Sequence, residues 1–257
     1  MPFTVSHAIV ALPFARGRIP AAAVAIGAMV PDIGLYAPLP VARELTHAPI
    51  GVVTIDLALG VVGLLLWLYL LRAPLRALAP RMVRARLREP AALHPLPAAI
   101  GLVIGSATHV VWDAFSHVDG FVVEQVPALQ QEWGDFAGYK WVQYASGVAG
   151  LVVLILAALV WLLRTPPRPV PRGGGWWRSL AWLAVLVATA WPTLAILRST
   201  TEHPLAEGFR GYVVAASIAG VIGAAVSVLG VALLWQLVRL LRKDYPARGR
   251  RTGRVVP

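Results

Sequence analysis

The chain contains no cysteine. Disulfides, thiolate metal sites and cysteine nucleophiles are therefore excluded, and any bound metal must rely on histidine and carboxylate. Charge is also scarce: Asp, Glu, Lys and Arg make up 14% of the 257 residues, against roughly 25% in soluble domains. Acid is the scarcer sign, with 12 acidic residues against 23 basic and a net charge of +11. The first residues, Met1-Pro2-Phe3-Thr4-Val5-Ser6-His7, hold no basic n-region, so a cleaved signal peptide is not expected. No basic patch alternates with aromatics as single-strand binders require, so nucleic acid is not expected as a partner. No convincing internal repeat is present.

What fills the chain instead is apolar. Hydrophobic residues reach 58% and the mean hydropathy is +0.70. The surplus occurs in long blocks, which points to bilayer spans and an integral membrane protein. Strong spans are expected at 49–71, 96–114, 141–163, 176–197 and 212–240. Two shorter apolar segments precede them, 3–15 and Ile19 to Val30, the latter ending at Pro31-Asp32. Neither reaches the roughly 20 residues of an easy span. The second is expected to cross by continuing towards Tyr36; the first suits a half-span, an interfacial helix or one arm of a helical hairpin. The expected fold is all-α, a polytopic transmembrane bundle of about six spans plus a short N-terminal helix. Its units would be a site-bearing membrane domain over 1–163, two further helices of the same bundle over 164–241, and a basic tail over 242–257.

Arginine places the two faces. The 72–88 and 164–178 connectors and the C-terminal tail carry excess arginine and should face the cytoplasm, with Arg16 and Arg18 on the same side. The 33–48, 116–140 and 198–210 segments alternate with them and should face outward. Positive-inside topology thus accounts for the basic charge.

One stretch organises the chemistry, Ser106-Ala107-Thr108-His109-Val110-Val111-Trp112-Asp113-Ala114-Phe115-Ser116-His117. His109, Asp113 and His117 stand at i, i+4 and i+8, each about 40° from the last on one side of a helix. Two imidazoles and a carboxylate on one face suit a divalent metal such as zinc. The topology brings more such residues to the same outer face: Asp32 ends the segment from Ile19, and His47 precedes the 49–71 span. Polar residues also gather at span ends simply to meet water, which is the plainer reading of the same convergence. His7 joins only if the first segment dips in from the outer face and turns near Arg16.

These residues also carry a resemblance. Met1-Pro2-Phe3-Thr4-x-Ser6-His7, Pro31-Asp32, Thr46-His47, Thr108-His109-x-x-Trp112-Asp113-x-Phe115-Ser116-His117 and Gly138-Tyr139-Lys140 resemble the pattern of DUF4184, a bacterial membrane family, over roughly residues 1–150. The order of histidines and aspartates is also similar to the YdjM-like membrane-bound metal-dependent hydrolases. More remotely it is similar to zinc-dependent phospholipase C and P1-type nucleases. The resemblance implies ligand roles for His7, Asp32, His47, His109 and Asp113, catalytic roles for Asp113 and His117, and one or two divalent ions, zinc above all. A bacterial inner (plasma) membrane location follows from it. The downstream His-x-x-x-Glu pair of the soluble enzymes has only one match here, His203-Pro204-Leu205-Ala206-Glu207, interrupted by proline.

A site at headgroup depth makes membrane lipid the expected partner and a phospholipid or lipid-linked phosphate the expected substrate. Lys140, opening the 141–163 span, is the candidate headgroup contact, although a lysine there can simply snorkel. Asp56 lies within a span, where a carboxylate is either functional or paired with a neighbouring hydroxyl. The leading expectation is a membrane-embedded metal-dependent hydrolase of phosphoesters. Its rivals are a transporter component, whose sites tend to lie at the midplane, and a non-catalytic scaffold stapled by metal.

Overall fold

The computed structural model describes residues 4–88, 93–170, 176–202 and 208–243. His203–Glu207 and the tail beyond residue 243 lie outside the described residues.

A short hairpin, rather than a span, opens the chain. Thr4–Phe14 is a 3-10 helix, in which side chains three apart eclipse one another. Thr4 and His7 therefore share a face, and both are buried. At a rise of about 2.0 Å per residue the 11 residues reach roughly 22 Å, further than an α-helix of equal length. The chain turns around Arg16 and Arg18, returns through the helix Ala21–Gly27 and enters a 3-10 turn, Val30–Leu35. Pro31 opens that turn and lacks the N–H that would extend the helix. The segment from Ile19 is thus a seven-residue helix and a turn.

Among the described residues, five helices are long and apolar enough to cross a membrane: Pro49–Leu78, Pro95–Gln125, Gly138–Arg164, Trp176–Ile196 and Gly211–Leu241. The fold is an all-α membrane bundle, as expected, and the segment from Ile19 forms the returning arm of the hairpin. The first span widens to a π-turn at Leu66–Leu71, just before Pro74. Pro74 leaves the Leu70 carbonyl without its helical donor, and Gln236 Nε2 fills in at 3.4 Å while bonding Tyr69 O at 3.0 Å. With Trp182 Nε1 donating to Leu78 O at 3.1 Å, this ties the last two spans to the side of the first.

The hairpin's returning arm packs along the second span, and this packing builds the core. Ala23 and Leu102 are buried in one cluster with Leu64 and Ala98. Higher up, a Cβ on Gly27 would overlap the Leu102 carbonyl, and one on Gly105 would overlap the Val24 carbonyl. Two glycines therefore let the backbones of the two helices touch. Beyond the helix end at Ser116, the connector to the next span is ordered by two short helices, Phe121–Gln125 and Pro127–Gln130, and a two-stranded ribbon, Glu132–Trp133 with Phe136–Ala137. Gly134 turns that ribbon at φ 71°.

Candidate metal centre

Three elements deliver four side chains to one point at the end of the bundle away from the 72–88 connector. Asp32 comes from the turn after Pro31, and His47 from the end of the short helix Arg43–Thr46. His109 and Asp113 come from successive turns of the helix Pro95–Ser116, which makes up most of the second span. One ligand atom from each of these residues lies within 4.8 Å of the other three. Asp32, His109 and Asp113 are buried, and His47 is nearly so.

Four of the six distances among these atoms lie between 3.2 and 3.8 Å. His47 Nε2 lies 3.2 Å from Asp113 Oδ2 and 3.8 Å from Asp32 Oδ1. His109 Nε2 lies 3.4 Å and 3.6 Å from the same two oxygens. A tetrahedral ion with bonds of 2.0–2.1 Å separates its ligands by about 3.3–3.4 Å.

Backbone hydrogen bonds decide which nitrogens face inward. His109 Nδ1 is 2.8 Å from Ala28 O, and His47 Nδ1 is 3.0 Å from Arg43 O. Carbonyls only accept, so each Nδ1 carries the proton and each Nε2 is turned towards the carboxylates. Both Nε2 atoms, and Asp113 Oδ1, are buried without a hydrogen-bond partner. A nitrogen lone pair facing carboxylate oxygens is repulsive, so a cation belongs there: a proton on the imidazole, or a metal. The residues present fit a divalent metal by donor type, spacing and orphaned atoms.

Neighbours hold this set in place. Thr4 Oγ1 donates to Asp32 Oδ2 at 2.7 Å, and Tyr36 Oη donates to Thr4 at 2.9 Å. Burial alone would raise the Asp32 carboxyl, but the His109 imidazole and the Thr4 hydroxyl hold it down at about 2. His7 stacks on His109 with centroids 4.2 Å apart, and its Nε2 is 4.0 Å from Asp113 Oδ1. Burial, then the adjacent His109, lowers His7 to about 4, so it is neutral at pH 7.

The remaining expected residues stand differently. The helix ends at Ser116, so His117 leaves the helical path that its i+8 position implied. It sets Nδ1 3.2 Å from Asp113 Oδ2 while Gln143 Nε2 meets its Nε2 at 3.4 Å, outside the four converging ligands. Lys140 is farther out still: its Nζ bonds Gln143 Oε1 at 3.2 Å beside a separate cavity lined by Phe136, Tyr144 and Ile218. Asp56 is the hydroxyl-paired carboxylate, accepting from Ser106 Oγ at 2.5 Å. Sequence reasoning missed Arg43, Thr4 and Gln143 as neighbours of the site. The only signal for Arg43 was its position four residues before His47 on a helix.

Affinity for a divalent ion should fall as pH drops, because a proton bound at an Nε2 blocks it as a ligand atom. Asp32, held near 2, stays ionised at mildly acidic pH. Binding at neutral pH should release protons, measurable by calorimetry in buffers of different ionisation heat. An affinity that ignores pH between 5 and about 7.5 would contradict histidine ligation.

The family model described as a domain of unknown function, DUF4184, matches residues 1–236. No curated protein and no solved structure matches the chain.

Proposed function

The chain belongs to the DUF4184 family, and from that footing we propose that it is a membrane-embedded, metal-dependent hydrolase of phosphoesters such as phospholipids or lipid-linked phosphates. The observation that carries the reading is the convergence of Asp32, His47, His109 and Asp113 on one point at one end of the spanning helices. Zinc is the ion that best suits two imidazoles and two carboxylates without thiolate. Positive-inside topology puts the arginine-rich connectors and the C-terminus in the cytoplasm of a bacterial inner membrane, and hence the centre at the outer headgroup layer.

A divalent ion held there would lower the pKa of a water towards neutrality and polarise a phosphoryl oxygen. The protein's own groups supply the rest. Asp113 Oδ1 has no hydrogen-bond partner and lies 4.0 Å from neutral His7, so these two can accept a proton from a reacting water. His117 Nδ1 against Asp113 Oδ2 fixes that carboxylate's orientation, and Gln143 fixes the imidazole in turn.

The test uses the full-length protein, purified in detergent, loaded with zinc and offered phospholipids and lipid diphosphates in mixed micelles. Release of a headgroup or phosphate that chelation and His109→Ala both abolish is expected. Stoichiometric zinc with no hydrolysis of any of these lipids would overturn the hydrolase reading and leave the metal as a staple between helix ends.

A further inference from the structure

Arg43 is outside the four-ligand set, yet its guanidinium lies against it. Nη2 donates to Asp113 Oδ2 at 3.3 Å and Nη1 to Asp119 Oδ2 at 3.1 Å. Asp113 Oδ2 is already faced by His47 Nε2, His109 Nε2 and His117 Nδ1 at 3.2–3.4 Å. One oxygen thus faces four nitrogen groups, more than its two lone pairs can serve. A divalent cation on that oxygen would compete with the guanidinium and repel it. The other hold on Arg43 is slight, because the Asp119 side chain is 64% exposed and its ion pair is screened.

Arg43 also borders open space. A cavity of about 180 Å³ adjoins the centre, walled by Pro31, Asp32, Leu39, Val41, Arg43 and Thr46. Arg43 is its only cationic wall residue, and it is 38% exposed. A guanidinium is a planar fork that matches the oxygens of a phosphate. The ionised Asp32 on the same wall would repel any anion unless a divalent cation neutralised it.

We propose that Arg43 and this cavity form the receptor for the phosphate group of the substrate, working only when metal is bound. The inference rests on the metal reading above and adds the group that recognises the anion. It also makes metal and phosphate binding mutually dependent, since the metal both weakens the grip of Asp113 on Arg43 and neutralises Asp32.

The experiment titrates the full chain in detergent with inorganic phosphate and, separately, with short-chain phosphatidic acid. Each titration is run with and without zinc, and zinc affinity is measured in every variant. Wild type should bind phosphate with zinc and not without it. Arg43→Ala should bind it about 10- to 100-fold more weakly while holding zinc at least as tightly, a competing cation having been removed. Arg43→Lys should recover only part of the loss, because an ammonium lacks the fork. Tighter binding of phosphatidic acid than of phosphate would mark a lipid headgroup as the source, and the reverse a soluble phosphate. Equal phosphate affinity in wild type and Arg43→Ala, with zinc retained, would overturn the proposal. So would loss of zinc in Arg43→Ala, which would make the residue a brace for the Arg43–Thr46 helix. Failure of wild type to bind zinc is a separate result and would overturn the metal reading itself.

Discussion

Asp113→Asn is expected to weaken zinc binding about 10²- to 10³-fold while the bundle stays folded. Structural zinc sites bind with roughly 10–16 kcal/mol shared over four ligands, or about 3–4 kcal/mol each, and 1.4 kcal/mol is tenfold. Asp113 is the candidate ligand that most neighbours approach, since His47, His109, His117 and Arg43 all come within 3.4 Å of its Oδ2. Asparagine keeps the shape of the side chain and removes its charge. His109 keeps its bond to Ala28 O and His47 its bond to Arg43 O, so both imidazoles retain their backbone anchors. Chelator competition gives the affinity and thermal unfolding in detergent checks the fold. An Asn variant that binds zinc as tightly as wild type would remove Asp113 from the ligand set.

Gly105→Val is expected to cost about 3 kcal/mol or more of stability and to degrade the centre at the same time. A Cβ there would overlap the Val24 carbonyl and come within 2.6 Å of the Ala28 nitrogen, both rigid backbone. The helices must part, and Ala28 O is the group that orients His109. One turn separates Gly105 from His109, so displacement at the glycine is transmitted to the ligand. Gly230→Ala is the control: nothing lies within 4 Å of its Cβ position, and alanine in a helix interior gains up to about 1 kcal/mol. Denaturation in one detergent, with zinc affinity measured alongside, compares the pair. A Gly105→Val protein as stable as wild type would contradict the backbone contact between hairpin and second span.

The site was legible where a local rule sufficed. His109 and Asp113 stand one helical turn apart, Asp32 follows a proline at a segment's end, and His47 sits just before a span, so topology alone brought all four to one face. His7 was not decidable that way, because its reach depends on helix type. A 3-10 rise carries the first segment deep enough to return, and nothing in the sequence pattern distinguishes that rise from an α-helical one. His117 was expected on the helical stripe, but the stripe stops at Ser116, and helix ends are the least local feature of a helix. Lys140 was expected on the same face as the centre, but it bonds Gln143 beside a different cavity. Arg43 was hidden because its role depends on tertiary contacts 70 and 76 residues along the chain. Five long spanning helices among the described residues, against about six expected, have a related reason. Hydropathy recognises the segment from Ile19 as membrane-buried, yet burial against the second span and crossing the bilayer read alike in composition.

A metal is expected at the point where Asp32, His47, His109 and Asp113 meet. Elemental analysis of the detergent-purified protein, wild type beside His47→Ala, measures this most directly. Near-stoichiometric zinc in wild type, lost in the variant although it unfolds at the wild-type temperature, is the predicted result. No metal in wild type even after resupply at neutral pH would contradict it, leaving the two inward nitrogens as imidazolium donors to a buried pair of aspartates.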